Sequence, residues 1–339
     1  MDDRLNAIGF SARRRENDTS WRPSASQALL RLRANIFSHI RQFFAERHVL
    51  EVETPVLSQA TVTDKHLQCF YTDYRFENPD QKQTLYLQTS PEFAMKRLLA
   101  AGSGAIYQLC KAFRNQGESG RTHNPEFTLL EWYRPDFNHH YLMDEVEALL
   151  KIILDCQSAQ RFTYAALFQQ YLQIDPHQAS VEELKKTLQG SNHTTENLYN
   201  MEKDDWLNLL MTHSIEPQLP KHPVFIYDFP ASQAALARIR PGNPPLAERF
   251  EVYIQGLELA NGFHELNDAQ EQRQRFMEDL AQRKEAGNPS VPIDEQLLAA
   301  LAHGLPDCAG VALGIDRLIM LAAKKDSINE VLAFPLERA

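Results

Sequence analysis

Apolar residues recur at helical spacing in the first well-patterned stretch of the chain. Leu29, Leu32, Ile36, Ile40 and Phe43 lie three or four positions apart, which predicts an amphipathic helix running to about Arg47. Ser24 or Ser26 can cap it. A short extended segment, Val49 to Glu53, then stops at Thr54-Pro55. Leu85 to Thr89 reads as a strand, and Ser90-Pro91-Glu92 as a helix start with a cap, a proline at the first position and an acid in the first turn. Ile106 to Arg114 and Glu126 to Tyr133 are strands on either side of a polar loop, and Tyr141 to Leu154 is helical. Residues 160–222 read as a mostly helical insertion of mixed polarity. Strands follow at Phe225 to Tyr227, Phe250 to Ile254 and Leu257 to Phe263, then a charged, exposed helix at Ala269 to Glu285. The last pattern is a small-residue strand, Gly310 to Leu313, running straight into a helix from Gly314. Hairpin-linked strands with helices between some of them predict an α+β fold on an antiparallel sheet. Residues 1–23, with Arg13-Arg14-Arg15, have little periodicity and read as a flexible tail before one catalytic-sized unit at 24–339.

Composition removes several classes of function. The 339 residues are 43% hydrophobic, which is ordinary for a globular protein. A formal net charge of −10 excludes a protein that coats nucleic acid by charge alone. The four cysteines, at 69, 110, 156 and 308, are scattered with no CxxC pair, which argues against a disulfide framework or a thiolate zinc site. With no apolar leader and no membrane-length apolar run, the expectation is a cytoplasmic protein.

Phosphate-binding loops and hydrolase elbows are missing too: there is no GxxxxGK[ST], HExxH or GxSxG. A nucleotide site would therefore be built from strand side chains. Three groups of residues could build it. In the Glu126–Tyr133 strand, alternation puts Phe127, Leu129, Glu131 and Tyr133 on one face. An acid among aromatics is costly to bury without a cation, so Glu131 could meet an ammonium group and Tyr133 shape the wall. The loop before it holds Arg114, Glu118, Arg121, His123 and Asn124, a set suited to a polyphosphate, and Phe127 could stack on a base. The second group is Glu251 and Glu258. If Gln255-Gly256 is a two-residue turn, position 253 faces 258 and both carboxylates share a side, as a Mg²⁺ pair would. Asn261, Phe263 and Glu265 alternate on the opposite side from Glu258 unless a bulge at Ala260 or Gly262 reunites them. The third group is the strand-to-helix step at Gly314 with Arg317 in the first helical turn, a place that attracts anions.

Together these segments resemble the class II aminoacyl-tRNA synthetases. Val52-Glu53-Thr54-Pro55 and the helix before it resemble motif 1. Phe113-Arg114-Asn115 through His123-Asn124-Pro125-Glu126-Phe127-Thr128 resembles motif 2, and Gly310 through Arg317 resembles motif 3. The run Glu258-Leu259-Ala260-Asn261-Gly262-Phe263-His264-Glu265-Leu266-Asn267-Asp268 is similar to the lysyl-tRNA synthetase signature. Three features depart from that subtype: about 23 residues before the first helix, the run Phe229-Pro230-Ala231-Ser232-Gln233-Ala234-Ala235-Leu236, and Ala312 where the synthetases carry glycine. With these departures the chain resembles the truncated lysyl-tRNA synthetase paralogues that ligate (R)-β-lysine to elongation factor P.

The resemblance implies a class II antiparallel sheet flanked by helices, without an N-terminal anticodon-reading OB domain. It implies that (R)-β-lysine, and more weakly lysine, is activated by ATP as an adenylate and passed to a lysine ε-amine on elongation factor P. Arg114 and Arg317 would be catalytic. Arg114, Glu118, Arg121, His123, Asn124, Phe127, Glu251, Glu258 and Arg317 would bind ATP, with Mg²⁺ on Glu251 and Glu258. Ser90, Glu92, Glu131, Tyr133, Asn261, Phe263, Glu265 and Ala312 would line the amino-acid pocket. Gln116 competes with Glu118 as the acid of motif 2. A homodimer through motif 1 is expected. The rival readings are a truncated synthetase that acylates tRNA or a small amine, and a non-catalytic paralogue.

Overall fold

The computed structural model describes residues 21–78, 80–115, 120–189 and 201–339. The Arg13–Arg15 cluster and both candidates for the motif 2 acid position, Gln116 and Glu118, lie outside them. Helix α1, Gln27–Ala45, is capped by Ser26, whose hydroxyl accepts from the Leu29 amide at 3.3 Å, and it buries Ile36, Ile40, Phe43 and Phe44. Strands β1 (Leu50–Glu51) and β2 (Leu57–Ser58) follow, then β3 (Tyr71–Arg75) and β4 (Lys82–Leu87). Strands β2, β4 and β3 form a small antiparallel sheet that the hydrophobic pattern shows only at β4. Its residues are mostly exposed, so no apolar alternation marks it.

Helix α2 runs Glu92–Ala100 with Pro91 at its N-cap, one place later than the sequence pattern puts its start, and Ser90 Oγ accepts from the Glu92 amide at 3.1 Å. Then come β5 (Ile106–Phe113), β6 (Glu126–Pro135), α3 (His139–Leu154) and β7 (Gln160–Thr163). Helices α4 (Tyr164–Leu172), α5 (Val181–Gln189) and α6 (Lys203–Leu210) lie within the insertion. Its first four residues, however, are strand β7, which joins the edge of the main sheet parallel to β8 (Val224–Pro230). The remaining elements are β9 (Ile239–Arg240), β10 (Leu246–Ile254), β11 (Leu257–His264), α7 (Ala269–Glu285), α8 (Glu295–Gly304), β12 (Cys308–Gly314) and α9 (Ile315–Ala323).

The main sheet runs β1-β5-β6-β12-β11-β10-β8-β7, with β9 paired to β10. Its pairings are antiparallel except β1 with β5 and β7 with β8, so the fold is α+β as the pattern predicts. Strand β6 lies mid-sheet between β5 and β12, which is why Leu130, Trp132 and Tyr133 are all buried.

One face of the sheet carries Leu130, Trp132, Phe250, Val252, Ala260, Val311 and Leu313 against α1, α3 and α9, the main hydrophobic core. There Phe44 stacks on Tyr107 at 4.3 Å between ring centres and meets Trp132 edge-on. The insertion helices build a second core over β8 around Tyr164, Phe168 and Trp206. The opposite face of the central strands is left for the polar residues below.

Candidate active site

The hairpin β10–β11 turns at Gln255-Gly256, with φ of 56° and 75°. Positive φ at both positions is the geometry of a tight two-residue hairpin turn. Tyr253 then pairs with Glu258, as the sequence reading requires. The next pair is Val252 with Ala260, so Leu259 is an extra residue, a bulge one place before the positions considered from the sequence. Its effect is the expected one: Glu258, Asn261 and Phe263 come to the same side as Glu251. Cross-strand register adds Ala312 and Gly310 opposite Asn261 and Phe263, and then Glu131 and Tyr133 opposite Ala312 and Gly310. One face of four strands, β10, β11, β12 and β6, thus gathers most of the candidate residues.

At one end of this face is a buried carboxylate pocket. Glu131, 2% exposed, accepts from Ser90 Oγ and from the Tyr133 hydroxyl, each at 2.7 Å. Glu265 lies just past β11, and Glu92 begins α2. Between them is Lys96, 1% exposed, whose Nζ is 2.6 Å from Glu92 and 2.7 Å from Glu265. Burial, then the Glu92 charge, pushes Glu131 up to about 8. Burial likewise lifts Glu265 to about 7, against the pull of Lys96. For Lys96 burial works in the opposite direction, yet Glu265 and Glu92 outweigh it and raise the ammonium. Gly310 forms part of the floor. A Cβ there would lie 2.3 Å from the Tyr133 ring and 2.5 Å from Glu265 Oε1, so only glycine fits.

At the other end lie Arg114, Phe127, Arg249, Glu251, Tyr253, Glu258 and Arg317. The Arg114 guanidinium sits over the Phe127 ring at 5.1 Å. Arg317 donates to the Glu258 carbonyl at 2.7 Å and to the Thr122 carbonyl at 3.3 Å, and its third nitrogen meets His123 Nε2 at 2.6 Å. Glu251 is paired with Arg249 and accepts from the Tyr253 hydroxyl at 2.8 Å. Arg249 also reaches Asn261 Oδ1 at 3.3 Å. Burial and the neighbouring Glu251 push Glu258 up to about 7. Glu251, though paired with Arg249, and Glu258, driven toward its neutral form, are the two carboxylates here that could hold a divalent cation.

Asn124 and Arg121 are placed differently. The Asn124 amide is committed at both ends, donating to the Glu126 carbonyl at 2.6 Å and accepting from the Leu336 amide at 3.0 Å. It ties the loop to the last residues of the chain. Arg121 is exposed, and its carbonyl accepts from Ile328. Asp316, beside Arg317, is architectural: it pairs with Arg33 at 2.6 Å and accepts the Thr128 amide at 2.7 Å. Sequence reasoning missed Lys96, Arg249 and Tyr253. The i,i+4 spacing of Glu92 and Lys96 was the available signal for the first.

Two other places compare poorly. On the opposite face His139, Glu248 and His264 bring donor atoms within 4.8 Å of one another. There, however, Asp228, Glu248 and Asp307 are matched by Arg240, Arg238 and a His264 ring whose two carboxylate partners, working against burial, favour its charged form. A cation would find no surplus negative charge. The groove between α7 and α8, lined by Ala269, Met277 and Leu298, holds none of the candidate residues.

The model of the class II tRNA synthetases (D, K and N) matches residues 11–338. The chain belongs to this family. Its α+β fold on a largely antiparallel sheet is consistent with a class II synthetase domain. Among similar proteins, the elongation factor P–(R)-β-lysine ligase of Edwardsiella ictaluri is 54% identical over 94% of this chain and 98% of its own length. The ligase of the same name from Vibrio cholerae is 54% identical over 95% and 99%. That from Salmonella paratyphi B is 53% identical over 94% and 98%. No helix among the described residues is long and apolar enough to cross a membrane.

Proposed function

We propose that this class II protein is an ATP-dependent ligase that activates (R)-β-lysine, and lysine more weakly, as an aminoacyl adenylate and transfers it to a lysine ε-amine of elongation factor P. The observation that carries the reading is the carboxylate set of buried Glu131 and Glu265 with half-buried Glu92, at one end of a face whose other end holds Arg114, Phe127 and Arg317. Carboxylates out of water select ammonium groups, and guanidiniums beside an aromatic ring select a nucleotide. The names of the relatives supply the particular amino acid and acceptor.

Catalysis is positioning plus charge neutralisation. Glu92, Glu131 and Glu265 hold the ammonium groups, and Asn261, Phe263, Ser90, Tyr133 and Ala312 fix the rest of the amino acid. A carboxylate oxygen of the amino acid attacks the α-phosphorus, and pyrophosphate leaves. Arg114 holds the α-phosphate as its negative charge grows. Phe127 and the Arg317 plane hold adenine, and Arg317 and Arg121 hold the distal phosphates with His123. Glu251 and Glu258 would hold Mg²⁺, which supplies further neutralisation of phosphate charge. The acceptor amine then attacks the acyl carbon, AMP leaves, the amine loses a proton and an amide remains. Elongation factor P as acceptor implies a cytoplasmic reaction, and α1 with β1, the motif 1 segment, is the proposed homodimer contact.

The test is mass spectrometry of purified elongation factor P after incubation with enzyme, ATP and each lysine isomer. One added lysyl mass, greatest with (R)-β-lysine, is expected. Pyrophosphate exchange without any added mass on the protein would defeat the acceptor assignment, and acylated tRNA in its place would favour a truncated synthetase.

A further inference from the structure

The carboxylate pocket contains a cation of its own. Lys96 rises from α2 and is closed off from solvent between Glu92 and Glu265, while Glu131 is held by hydroxyls alone, Ser90 and Tyr133. Arg97, on the same helix, lines the outer cavity beside Ser90 and Glu92 but is exposed to solvent, and two further cations near this end are committed elsewhere. Arg238 pairs with Asp307 at 2.6 Å, and His264 lies between Glu248 and Asp307. Three carboxylates and one ammonium leave a deficit of two positive charges, with Glu131, Glu265 and Lys96 all out of solvent.

We propose that Lys96 is a specificity-determining positioning residue: it neutralises one of three pocket carboxylates, so that the remaining deficit matches an amino acid with two ammonium groups. The proposal rests on the amino-acid pocket assigned above and deepens it. A monoamino acid of similar length would leave one buried carboxylate without a partner, and the diamino acid leaves none. Lys96 also fixes geometry. By spanning Glu92 and Glu265 it orients their remaining oxygens toward the pocket, so the substrate meets acceptors that are already aimed. The upward displacement of Glu131 and Glu265 agrees with an empty pocket short of positive charge.

The test compares Lys96→Met, Glu92→Gln and the combined variant in amino-acid-dependent pyrophosphate exchange. Each single change unbalances the pocket by one charge and should raise KM for lysine or β-lysine by about tenfold or more, with kcat changed far less. The combined variant removes one charge of each sign and restores the deficit of two. Its KM should fall below that of both single variants. A second arm uses Lys96→Ala, which leaves room for a small cation. Ethylammonium should lower its KM saturably and leave the wild type unaffected.

A combined variant worse than either single one, an unchanged KM in Lys96→Met, or a Lys96→Ala protein indifferent to ethylammonium would each overturn the proposal. If Lys96→Met does not fold, the combined variant measured against Glu92→Gln still decides. Lysine- or β-lysine-dependent exchange by the wild-type protein separately marks the underlying pocket assignment, so failure of the two ideas can be told apart.

Discussion

Replacing Glu131 with glutamine should make the protein more stable and less active, and the gain should depend on pH. The side chain is buried and its two oxygens accept from Ser90 and Tyr133. Glutamine has the same shape, and either hydroxyl can turn to accept from the new amide, so both hydrogen bonds can persist. What disappears is a carboxyl pushed from an ordinary 4.5 up to about 8 by burial and by Glu92. A native pKa above the unfolded one means the folded protein holds a proton that the unfolded chain has released. Stability therefore falls as pH climbs from about 4.5 to about 8, and the group contributes nothing below that window. At pH 7 the loss is on the order of 3 kcal/mol, and at pH 5 under about 1 kcal/mol. Glu131→Gln should recover most of it. Urea unfolding of both proteins at pH 5 and pH 8 measures the difference, since Glu258 and Glu265 titrate in both. The same variant should lose lysine-dependent pyrophosphate exchange, because a neutral amide cannot pair with an ammonium group. A variant less stable than wild type at pH 8, or a stability difference that does not change with pH, would refute the reasoning.

Arg114→Ala should cut pyrophosphate exchange by a factor of about a hundred or more with the fold intact by circular dichroism; near-normal exchange would remove Arg114 from its place at the α-phosphate. Gly310→Ala should destabilise by about 1–3 kcal/mol in urea and raise the amino-acid KM, because the new methyl displaces Tyr133 and Glu265 together. Glu258→Gln should raise the Mg²⁺ concentration that half-saturates exchange by about tenfold, read from a magnesium titration; an unchanged titration would count against Glu258 as a ligand.

Much of this arrangement was legible because strand parity is local. Alternation alone put Phe127, Glu131 and Tyr133 on one side, and a two-residue turn alone set Tyr253 against Glu258. The bulge was foreseeable in kind but not in position: Leu259, Ala260 and Gly262 are all compatible with one, and tertiary packing of Leu259 into the core decides. Strands β2, β3 and β7 were invisible for a different reason. They are short and largely exposed, so they carry no hydrophobic period. Helix α8 was missed although Asp294 caps it, with its carboxylate accepting from the amides of Gln296 and Leu297. Lys96 was illegible because a lysine on a short helix is ordinarily solvated, and only the approach of Glu265, far along the chain, makes it interior.

The two-faced sheet has a practical meaning for anyone who wishes to redirect this enzyme toward other amino acids. Diversity is best confined to alternate positions: 131 and 133 on β6, 261 and 263 on β11, and 312 on β12, with 310 held as glycine. The positions between them, 130, 132, 260, 262, 311 and 313, face the helices. Randomising them would consume the library in proteins that do not fold. A combinatorial search over five residues, chosen by odd or even place along three neighbouring strands, covers the strand-borne part of the proposed amino-acid end and leaves the scaffold untouched.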